Sequence, residues 1–283
     1  MKTIAVLGAG TMGHGIAQVA AQGGHATLLY DVEEGGAEAG LERVRRNLEK
    51  GVSLGKVDPE QRAETLGRIR ATSSLPVAVS EADLVIEAVP ESLELKRRLF
   101  EDVEGQAPET AVLATNTSSL SIDAIAQALA RPDRFMGLHF FNPVHIMALV
   151  EVIRGSRTGE EAMDSGLRFV REIGKEPIVV KDSPGFASSR LGVALGLEAM
   201  RMVEEGVADP HAIDRAMELG YRHPMGPLKL TDLVGLDVRL GIASYLHEEL
   251  EQEHFRPPEI LHRMVAEGKL GKKSGEGFYR WDD

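Results

Sequence analysis

Cysteine is absent from the 283-residue sequence, and so are long apolar runs. Without cysteine there is no disulfide, no thiolate nucleophile and no cysteine-ligated metal centre, and we expect no metal cofactor. The sequence contains no stretch of about 20 apolar residues, the length that is needed to span a bilayer. Glycines and His14 interrupt the apolar N-terminus, which is atypical of a signal peptide. We therefore expect a cytoplasmic protein that does not interact with membranes.

Positive charge is also scarce. Lys and Arg total 32 against 44 Asp and Glu, which gives a formal net charge of −12. Such a chain repels phosphate backbones, so we expect no nucleic-acid partner. A small anionic ligand would need a local basic patch. The length, together with 43% hydrophobic residues, suffices for one large domain or two ordinary ones.

The first two thirds of the chain alternate short apolar runs with longer amphipathic stretches. The predicted strands are Thr3–Leu7, Ala26–Tyr30, Leu84–Val89, Ala111–Ala114, Phe135–Phe141, Leu149–Ile153 and Pro177–Val180. The predicted helices between them are Thr11–Gln22, Glu38–Lys50, Pro59–Ile69, Leu93–Val103, Ile122–Leu129 and Glu160–Ile173. Strands that alternate with helices over short connections predict a mostly parallel sheet covered on both faces, the α/β class.

The pattern changes near Asp182–Gly185, after which no strand is predicted before the very end of the chain. The helices predicted there are Leu191–Glu205, Pro210–Leu219, Leu236–Glu251 and Pro258–Glu267. We therefore expect a Rossmann-type domain over 1–182 and an all-helical C-terminal domain over 183–283.

A glycine-rich turn follows the first strand, with the sequence Gly8-Ala9-Gly10-Thr11-Met12-Gly13. Glycines often mark only a turn, but G-x-G-x-x-G between a strand and a helix is the dinucleotide fingerprint. Its glycines allow the tight turn, the approach of a pyrophosphate and close helix packing. Asp31 ends the second strand, where an acid can bind the adenosine ribose or else cap the next helix. Since Glu33 and Glu34 follow without an arginine, NAD is favoured over NADP.

Three polar segments cluster at strand ends: Ala114–Ser119, His139–Pro143 and Val150–Val152. Ligands of open α/β sheets bind at such ends. Glu151 lies in an apolar run, so it needs a partner, and His139 is a suitable one. Oxidation of an alcohol by NAD needs a group that takes the hydroxyl proton, and histidine suits that task. The alternative for His139 is an ordinary core residue. Ser118 and Asn142 could bind a substrate oxygen, or act as a helix cap and a turn residue.

The chain resembles a known family in a series of short motifs. In order, they are GAGTMGHGIAQ, EAVPE, NTSSL, HFFNPV, LVEVI, SPGF, HPMGP and KKSGEGFY. Together they are similar to the 3-hydroxyacyl-CoA dehydrogenase family in its short bacterial form, the 3-hydroxybutyryl-CoA dehydrogenases. The resemblance runs from about residue 3 to residue 280. It implies hydride transfer between C3 of an (S)-3-hydroxyacyl-CoA and NAD.

The resemblance also implies roles for individual residues. His139 would be the catalytic base and Glu151 its orienting partner, and Ser118 would bind the substrate oxygen. The implied cofactor contacts are Gly8, Ala9, Gly10, Thr11, Met12, Gly13, Asp31, Glu91, Lys96, Ser118, Asn142 and Lys273.

Two departures from the family pattern concern the substrate. Ser189 stands where relatives commonly carry an active-site asparagine, and serine reaches less far. The segment 47–56, where relatives hold the CoA phosphates with several lysines, offers Asn47, Lys50 and Lys56. Arginines on the preceding helix could compensate, or they could form a solvated face with nearby glutamates. These are Arg43, Arg45 and Arg46.

Three interpretations stay open. The first is the acyl-CoA dehydrogenase; the second is a related dehydrogenase of a free 3-hydroxy acid such as a sugar acid. The third is an inactive nucleotide-binding regulator, which Ser189 alone would favour. Apolar helix faces in the C-terminal domain, and the resemblance itself, predict a homodimer through that domain.

Overall fold

The computed structural model describes residues 1–281. The chain divides into two compact units, one over Met1–Asp182 and the other from Ser183 onward. Within the described residues, no helix has the length and apolar character needed to cross a membrane.

The first unit is built on an eight-stranded sheet. Its strands are β1 (Thr3–Leu7), β2 (Ala26–Tyr30), β3 (Ile69–Thr72), β4 (Leu84–Glu87), β5 (Val112–Thr115), β6 (Phe135–Phe140), β7 (Leu149–Arg154) and β8 (Glu176–Lys181). The spatial order is β3-β2-β1-β4-β5-β6-β7-β8. The first six strands are parallel, β7 runs antiparallel to β6, and β8 runs parallel to β7.

Helices cover the sheet of the first unit. They are α1 (Gly13–Gln22), α2 (Gly36–Ser53), α3 (Pro59–Gly67), α4 (Leu75–Val79), α5 (Leu93–Glu104), α6 (Ile122–Ala126) and α7 (Glu160–Glu172). Every residue of β4, β5 and β6 is buried, as expected for strands with helices on both faces. On α1, Ile16 and Val19 pack into the same core as Ile4 and Val6 of β1.

The strand directions fix where ligand-binding residues gather. Because β1, β4, β5 and β6 are parallel, their carboxyl ends lie along one edge of the sheet, here named the carboxyl edge. Since β7 is antiparallel to β6, it begins at this edge instead of ending there. The polar segments after β5 and β6 therefore lie beside the start of β7.

The second unit is built of helices, with two isolated β-bridges, Gly271–Glu276 and Glu276–Arg280, near the end of its described residues. It contains α8 (Ser188–Glu204), α9 (Pro210–Gly220), α10 (Pro227–Val234), α11 (Leu236–Leu250) and α12 (Glu259–Ala266). Asp209 caps α9 by accepting from the N–H of Ala212 at 2.8 Å, with Pro210 in the first turn. A mostly parallel sheet followed by a helical unit confirms the predicted fold class.

The end of the described chain is held by one buried carboxylate. Asp232 of α10 accepts from the backbone N–H groups of Phe278 and Tyr279 and from Nε1 of Trp281, each at 2.9 Å. A Cβ at position 277 would lie 2.2 Å from Asp232 Oδ1, so only glycine fits between the tail and this acid. The C-terminal GEGFY motif thus has a structural reason.

Some elements differ from those predicted. Ile69 was predicted to end a helix, but that helix ends at Gly67 and Ile69–Thr72 forms β3. The short helices α4 and α10 were not predicted. Each has a proline in its first turn and spans at most eight residues, so neither gives a clear periodic pattern.

Candidate active site

The glycine-rich turn between β1 and α1 is shaped by close backbone contacts. Gly8 has φ +97°, and a Cβ on it would lie 2.7 Å from the carbonyl oxygen of Ala88. A Cβ on Gly13 would lie 1.6 Å from the carbonyl oxygen of Gly8, so α1 can approach β1 only through glycine. Gly10 is exposed and a Cβ there would meet nothing within 4 Å. The turn therefore leaves open space above Gly10.

A cleft of about 710 Å³ opens over this turn. Its walls come from the turn itself, from the end of β2, from the segment after β4 and from α5. The lining residues include Gly8, Gly10, Thr11, Met12, Tyr30, Asp31, Glu33, Val89, Pro90, Arg98 and Asp102. Ala9 and Gly13 do not line the cleft. Ala9 is 2% exposed, so of the six fingerprint residues these two shape the turn rather than its surface.

Asp31 braces the turn from the end of β2. Its Oδ2 accepts from the N–H of Ala9 at 2.8 Å, and its Oδ1 accepts from the N–H of Glu33 at 3.1 Å. Helix α2 starts after Gly35 without a side-chain cap, so Asp31 does not serve as a helix cap. Asp31 lines the cleft, and each of its carboxylate oxygens can accept a further hydrogen bond, as recognition of a ribose hydroxyl requires.

The charge around the cleft is mainly negative. Asp31, Glu33 and Asp102 line it. Burial raises the pKa of Tyr30, and the charges of Asp31 and Asp102 raise it further. Arg98 is a cation that sequence reasoning missed, because it lies on α5 far from the fingerprint. It ion-pairs with Glu94 and is largely exposed, so it only partly offsets the three acids.

These features fit a dinucleotide without a 2′-phosphate. The turn offers space above Gly10 at the N-terminus of α1, and the acids suit ribose hydroxyls rather than an added phosphate. Strand β6 lies two positions beyond β4 along the carboxyl edge, roughly 10 Å away. An extended cofactor with its adenosine at β2 thus has its other end directed toward β5 and β6.

His139 and Glu151 form a buried pair on neighbouring strands. They are register partners across β6 and β7, and His139 Nδ1 lies 2.7 Å from Glu151 Oε2. Their exposed fractions are 7% and 0%. A carboxylate can only accept, so Nδ1 carries the hydrogen and Nε2 of the neutral ring keeps its lone pair. The histidine is thereby set to take up a proton at Nε2.

Glu91 connects the loops after β4 and β5. Its Oε1 accepts from the hydroxyl of Thr117 and, at 3.2 Å, from the N–H of Ser118. Ser118 is half-buried at the carboxyl edge. Glu91 therefore orients the segment that carries Ser118. Glu91 and Ser118, which both have implied cofactor roles, are in direct contact.

Lys96 lies in a buried ion pair. Its side chain is fully buried, with Nζ 2.7 Å and 2.9 Å from the two carboxylate oxygens of Glu87 and 3.3 Å from Oε2 of Glu91. The buried carboxylate of Glu87 binds its ammonium group, and Glu91 lies next to it. The cofactor contact that the resemblance implies for Lys96 stays a prediction. Sequence reasoning missed Glu87, although its position in the apolar run LVIE was a signal.

Two asparagines lie at the ends of β5 and β6. Asn116 Oδ1 accepts from the N–H of Phe140 at 2.9 Å, which ties the two strand ends together. We assigned Asn116 no role from the sequence, since this bond spans 24 residues. Asn142 is exposed just beyond β6 and precedes Pro143 through a cis peptide bond.

The residues implied in CoA binding lie on and after α2. Asn47 is half-buried and its Nδ2 donates to Gln18 Oε1 of α1 at 3.3 Å. Lys50 and Lys56 are exposed. Arg45 pairs with Glu42, as in a solvated helix face, whereas Arg43 Nη1 donates to the carbonyl oxygen of Ala9 at 3.1 Å. Asn47 and Arg43 therefore already have structural partners.

Two further candidates belong to the second unit. Ser189 is half-buried in the first turn of α8. Lys273 follows α12, and its Nζ lies 2.6 Å from Oδ2 of Asp237 in α11. Lys273 is thus held on the surface of this unit by an ion pair.

Comparison with known proteins gives consistent matches over both units. Residues 3–183 match the family model of the 3-hydroxyacyl-CoA dehydrogenase NAD binding domain, and residues 185–281 match that of its C-terminal domain. A probable 3-hydroxybutyryl-CoA dehydrogenase of Bacillus subtilis is 44% identical over 283 residues, covering 100% of this chain and 98% of that protein. A 3-hydroxyadipyl-CoA dehydrogenase of Escherichia coli is 42% identical over 282 residues, covering 99% of this chain and 59% of that longer one.

Solved structures agree with these matches. The crystal structure of (S)-3-hydroxybutyryl-CoA dehydrogenase PaaH1 from Ralstonia eutropha has a TM-score of 0.96 with 38% identity, and the match covers 100% of both chains. The cofactor is NAD, since the whole first unit matches an NAD binding domain. With both family domains matched in order and full-length relatives above two fifths identity, the chain belongs to the 3-hydroxyacyl-CoA dehydrogenase family.

Proposed function

We propose that this protein interconverts (S)-3-hydroxyacyl-CoA and 3-ketoacyl-CoA with NAD, and that His139 is its acid–base group. The observation that carries the assignment is the buried His139–Glu151 pair at the carboxyl edge, with Nδ1 and Oε2 2.7 Å apart. The names of the relatives, which include 3-hydroxybutyryl-CoA dehydrogenase, support the substrate class. A cytoplasmic location stays a prediction.

The residues of this chain supply proton transfer and orientation. NAD, when bound, accepts or returns the hydride at C3 of the substrate. His139 Nε2 takes the hydroxyl proton during oxidation and returns it to the carbonyl oxygen during reduction. Glu151 keeps the Nδ1 hydrogen in place and stabilises the imidazolium that forms. The Ser118 hydroxyl donates to the substrate oxygen, which lowers the energy of the charge that develops there.

The direct test follows NADH consumption by purified protein with acetoacetyl-CoA. His139→Ala is expected to lower kcat by roughly 10²- to 10⁴-fold, the usual contribution of a general acid–base group. Glu151→Gln is expected to lower kcat less, because the amide still bonds to the ring but does not stabilise its charge. His262→Ala is the control, since His262 is exposed on α12. Turnover by His139→Ala at the wild-type rate would refute the assignment.

A second candidate is oxidation of free 3-hydroxy acids. Asn47 is engaged by Gln18, and Lys50 and Lys56 are the lysines of the segment, so the basic surface for CoA phosphates is small. Equal kcat/KM for acetoacetate and acetoacetyl-CoA would favour this candidate. Activity with acetoacetyl-CoA but not with acetoacetate would favour the acyl-CoA dehydrogenase. Tight NADH binding without turnover of either would indicate the inactive regulator.

We further infer that the protein forms a homodimer through its helical unit. Large apolar side chains are exposed there, including Leu191 at 72%, Leu219 at 69% and Tyr221 at 75%. Exposed large apolar side chains are typical of a surface that another copy covers. Sedimentation at micromolar concentration should give twice the chain mass, and Leu219→Glu with Tyr221→Glu should give the single mass. A monomeric wild-type protein would contradict the proposal.

A further inference from the structure

Strand β6 extends beyond its pairing with β5 at the carboxyl edge. The last register pair of these two strands is Thr115 with Gly137, whereas β6 continues to Phe140. On its other side, β6 stays paired with β7 as far as Phe140 opposite Val150. In the described sheet, the backbone ladder therefore holds the segment with His139 from the β7 side.

The side chain of Asn116 connects this segment to β5. Asn116 directly follows β5, and its Oδ1 accepts from the N–H of Phe140 at 2.9 Å. Phe140 is 2% exposed, so without this acceptor its N–H would be buried and unsatisfied, which is costly. Asn116 thus bonds the end of β6 at a point beyond the last register pair of β5 and β6.

Phe140 lies between two side chains that contact each other. The rings of His139 and Phe141 have centroids 4.4 Å apart, and Glu151 holds the imidazole from β7 through Nδ1. Peptide units are nearly rigid planes, so a displacement of the Phe140 backbone would also move its two neighbours. The bond from Asn116 therefore helps to determine where Nε2 of His139 lies.

The backbone of Asn116 is bonded to β4. Its N–H donates to the carbonyl oxygen of Glu87, the last residue of β4, at 2.8 Å. The three residues that follow Glu87, at positions 88–90, all line the cofactor cleft. Asn116 is therefore bonded on one side to the strand that leads into the cleft and on the other side to the strand that carries His139.

We propose that Asn116 is a positioning residue that fixes the distance between His139 and the cofactor cleft. The proposal rests on the proposed function for the role of His139. Proton transfer and hydride transfer occur on the same substrate molecule, so the base and the cofactor must keep a set separation. A displacement of about 1 Å can lower a rate by roughly 100-fold. Asn116 acts through His139 and does not itself contact the reacting atoms.

Two substitutions at this position test the role, with acetoacetyl-CoA and NADH as substrates. Asn116→Leu keeps a similar size and removes the acceptor, so kcat should fall by roughly 10- to 100-fold. Asn116→Asp keeps an acceptor for the Phe140 N–H and should retain most of the wild-type kcat. The Kd of NADH should stay the same in both, because Asn116 is not among the residues that line the cleft. Equal losses of kcat in the two variants would overturn the proposal.

Thr158→Val is the matched control. The Thr158 hydroxyl donates to the carbonyl oxygen of Phe135 at 2.7 Å, so it also bonds the backbone of β6, but at the opposite end of the strand. Both Asn116→Leu and Thr158→Val should lower the Tm. Only Asn116→Leu should lower kcat and raise the isotope effect of NADH deuterated at C4, because a misplaced base slows the chemical step. Equal effects of the two variants on kcat would mean a purely structural role and overturn the proposal.

A double variant tests whether Asn116 acts through the histidine. When His139→Ala removes the base, its placement no longer matters, so the added Asn116→Leu should lower the residual rate by at most about twofold. The loss that Asn116→Leu causes in the wild type should therefore be absent from this background. A loss of the same size in both backgrounds would overturn the proposal.

Hydrogen exchange of the Phe140 amide tests the bond without turnover. The exchange should be faster in Asn116→Leu and unchanged in Asn116→Asp. Faster exchange with a wild-type kcat in Asn116→Leu would overturn the positioning role and leave the proposed reaction intact. A wild type that shows this exchange pattern but reduces no acetoacetyl-CoA would refute the proposed function, and the positioning role with it.

Discussion

Lys96 and Glu87 form an ion pair that has no exposed side-chain surface. Burial raises the pKa of Glu87, while the charge of Lys96 and hydrogen bonds from Lys96, Thr115 and the N–H of Val89 lower it. The pair therefore depends on complete satisfaction of its hydrogen bonds. Its effect on the site is indirect, since Lys96 also reaches Glu91, which orients the segment with Ser118.

Removal of one partner should be strongly destabilising. Lys96→Met leaves the Glu87 carboxylate buried without its cation, so the free energy of unfolding should fall by about 3–5 kcal/mol. Urea denaturation measures this loss. The pKa of Glu87 should rise further in the variant, so its folded state binds a proton more tightly than the unfolded chain. The deficit should therefore shrink as the pH falls.

Two control variants test whether the unpaired charge causes the loss of stability in Lys96→Met. The double variant Lys96→Met with Glu87→Leu removes both charges and should regain most of the stability. Arg45→Met disrupts a surface pair with Glu42 and should change stability little. An equal loss in the single and double variants would mean that packing, not charge, determines the effect.

At the scale of elements, two glycines of the turn between β1 and α1 have different roles: Gly13 is needed for folding and Gly10 for cofactor binding. A Cβ on Gly13 overlaps the carbonyl oxygen of Gly8, whereas a Cβ on Gly10 enters open space in the cleft. Gly13→Ala should lower the Tm markedly, because α1 must move away from β1. Gly10→Ala should keep the wild-type Tm and weaken NADH binding at least tenfold, measured by NADH fluorescence. Equal behaviour of the two variants would contradict the assigned roles.

The fluorescence of Trp281, near the end of the described chain, should depend on pH through its bond to Asp232. Burial raises the pKa of Asp232, which accepts from the N–H groups of Phe278 and Tyr279 and from Trp281 Nε1. Asp214 adds to the increase, and Lys229 and Lys272 lie near the indole ring. Trp281 is the single tryptophan of the chain. Its emission should therefore report the protonation of Asp232.

The expected titration follows from the sign of the shift. Because the pKa is raised in the folded state, the contribution of Asp232 to stability is full below its ordinary pKa and is lost as the pH rises through the raised value. Trp281 emission should change at a pH above the usual aspartate range. Asp232→Asn should abolish the change. A transition that persists in this variant would assign the signal to another group.

Prediction from sequence succeeded where local patterns decide the element. Long amphipathic helices and apolar strands were located to within a few residues, for example β1 and α9. The sequence also placed His139 and Glu151 at one site, since an acid inside an apolar run requires a partner. Strand β3 was missed because its four residues adjoin a helix and include Arg70. The buried pair of Lys96 with Glu87 was not predicted, because tertiary packing brings the two residues together and no spacing rule indicates it.

At the scale of the whole molecule, cofactor binding should stabilise the fold. At a concentration 100 times its Kd, NADH adds about 2.7 kcal/mol, which raises the Tm by roughly 5–10 °C. NADPH at the same concentration should give a smaller rise, because Asp31, Glu33 and Asp102 repel its 2′-phosphate. Differential scanning calorimetry measures both shifts.

Variants identify the source of this preference. Asp31→Asn should reduce the difference between the two nucleotides, since it removes one repelling charge beside the cleft. Arg98→Met should enlarge the difference, because Arg98 is the cation among the residues that line it. Equal Tm shifts with NADH and NADPH in the wild type would contradict the electrostatic argument.

The reversal of direction at β7 has a consequence for the order of folding. His139 and Glu151 are 12 residues apart and face each other across adjacent antiparallel strands. Closure of so short a loop costs little entropy, and hairpins form within about 1–10 μs. By contrast, β1 must find β4 across some 80 residues, Ile4 opposite Leu84. Contacts of such range form slowly. The strands that carry the acid–base pair are therefore close together in the sequence, whereas β1 and β4 are far apart. The pair can align before or after the folding step that brings β1 and β4 together at the cofactor cleft.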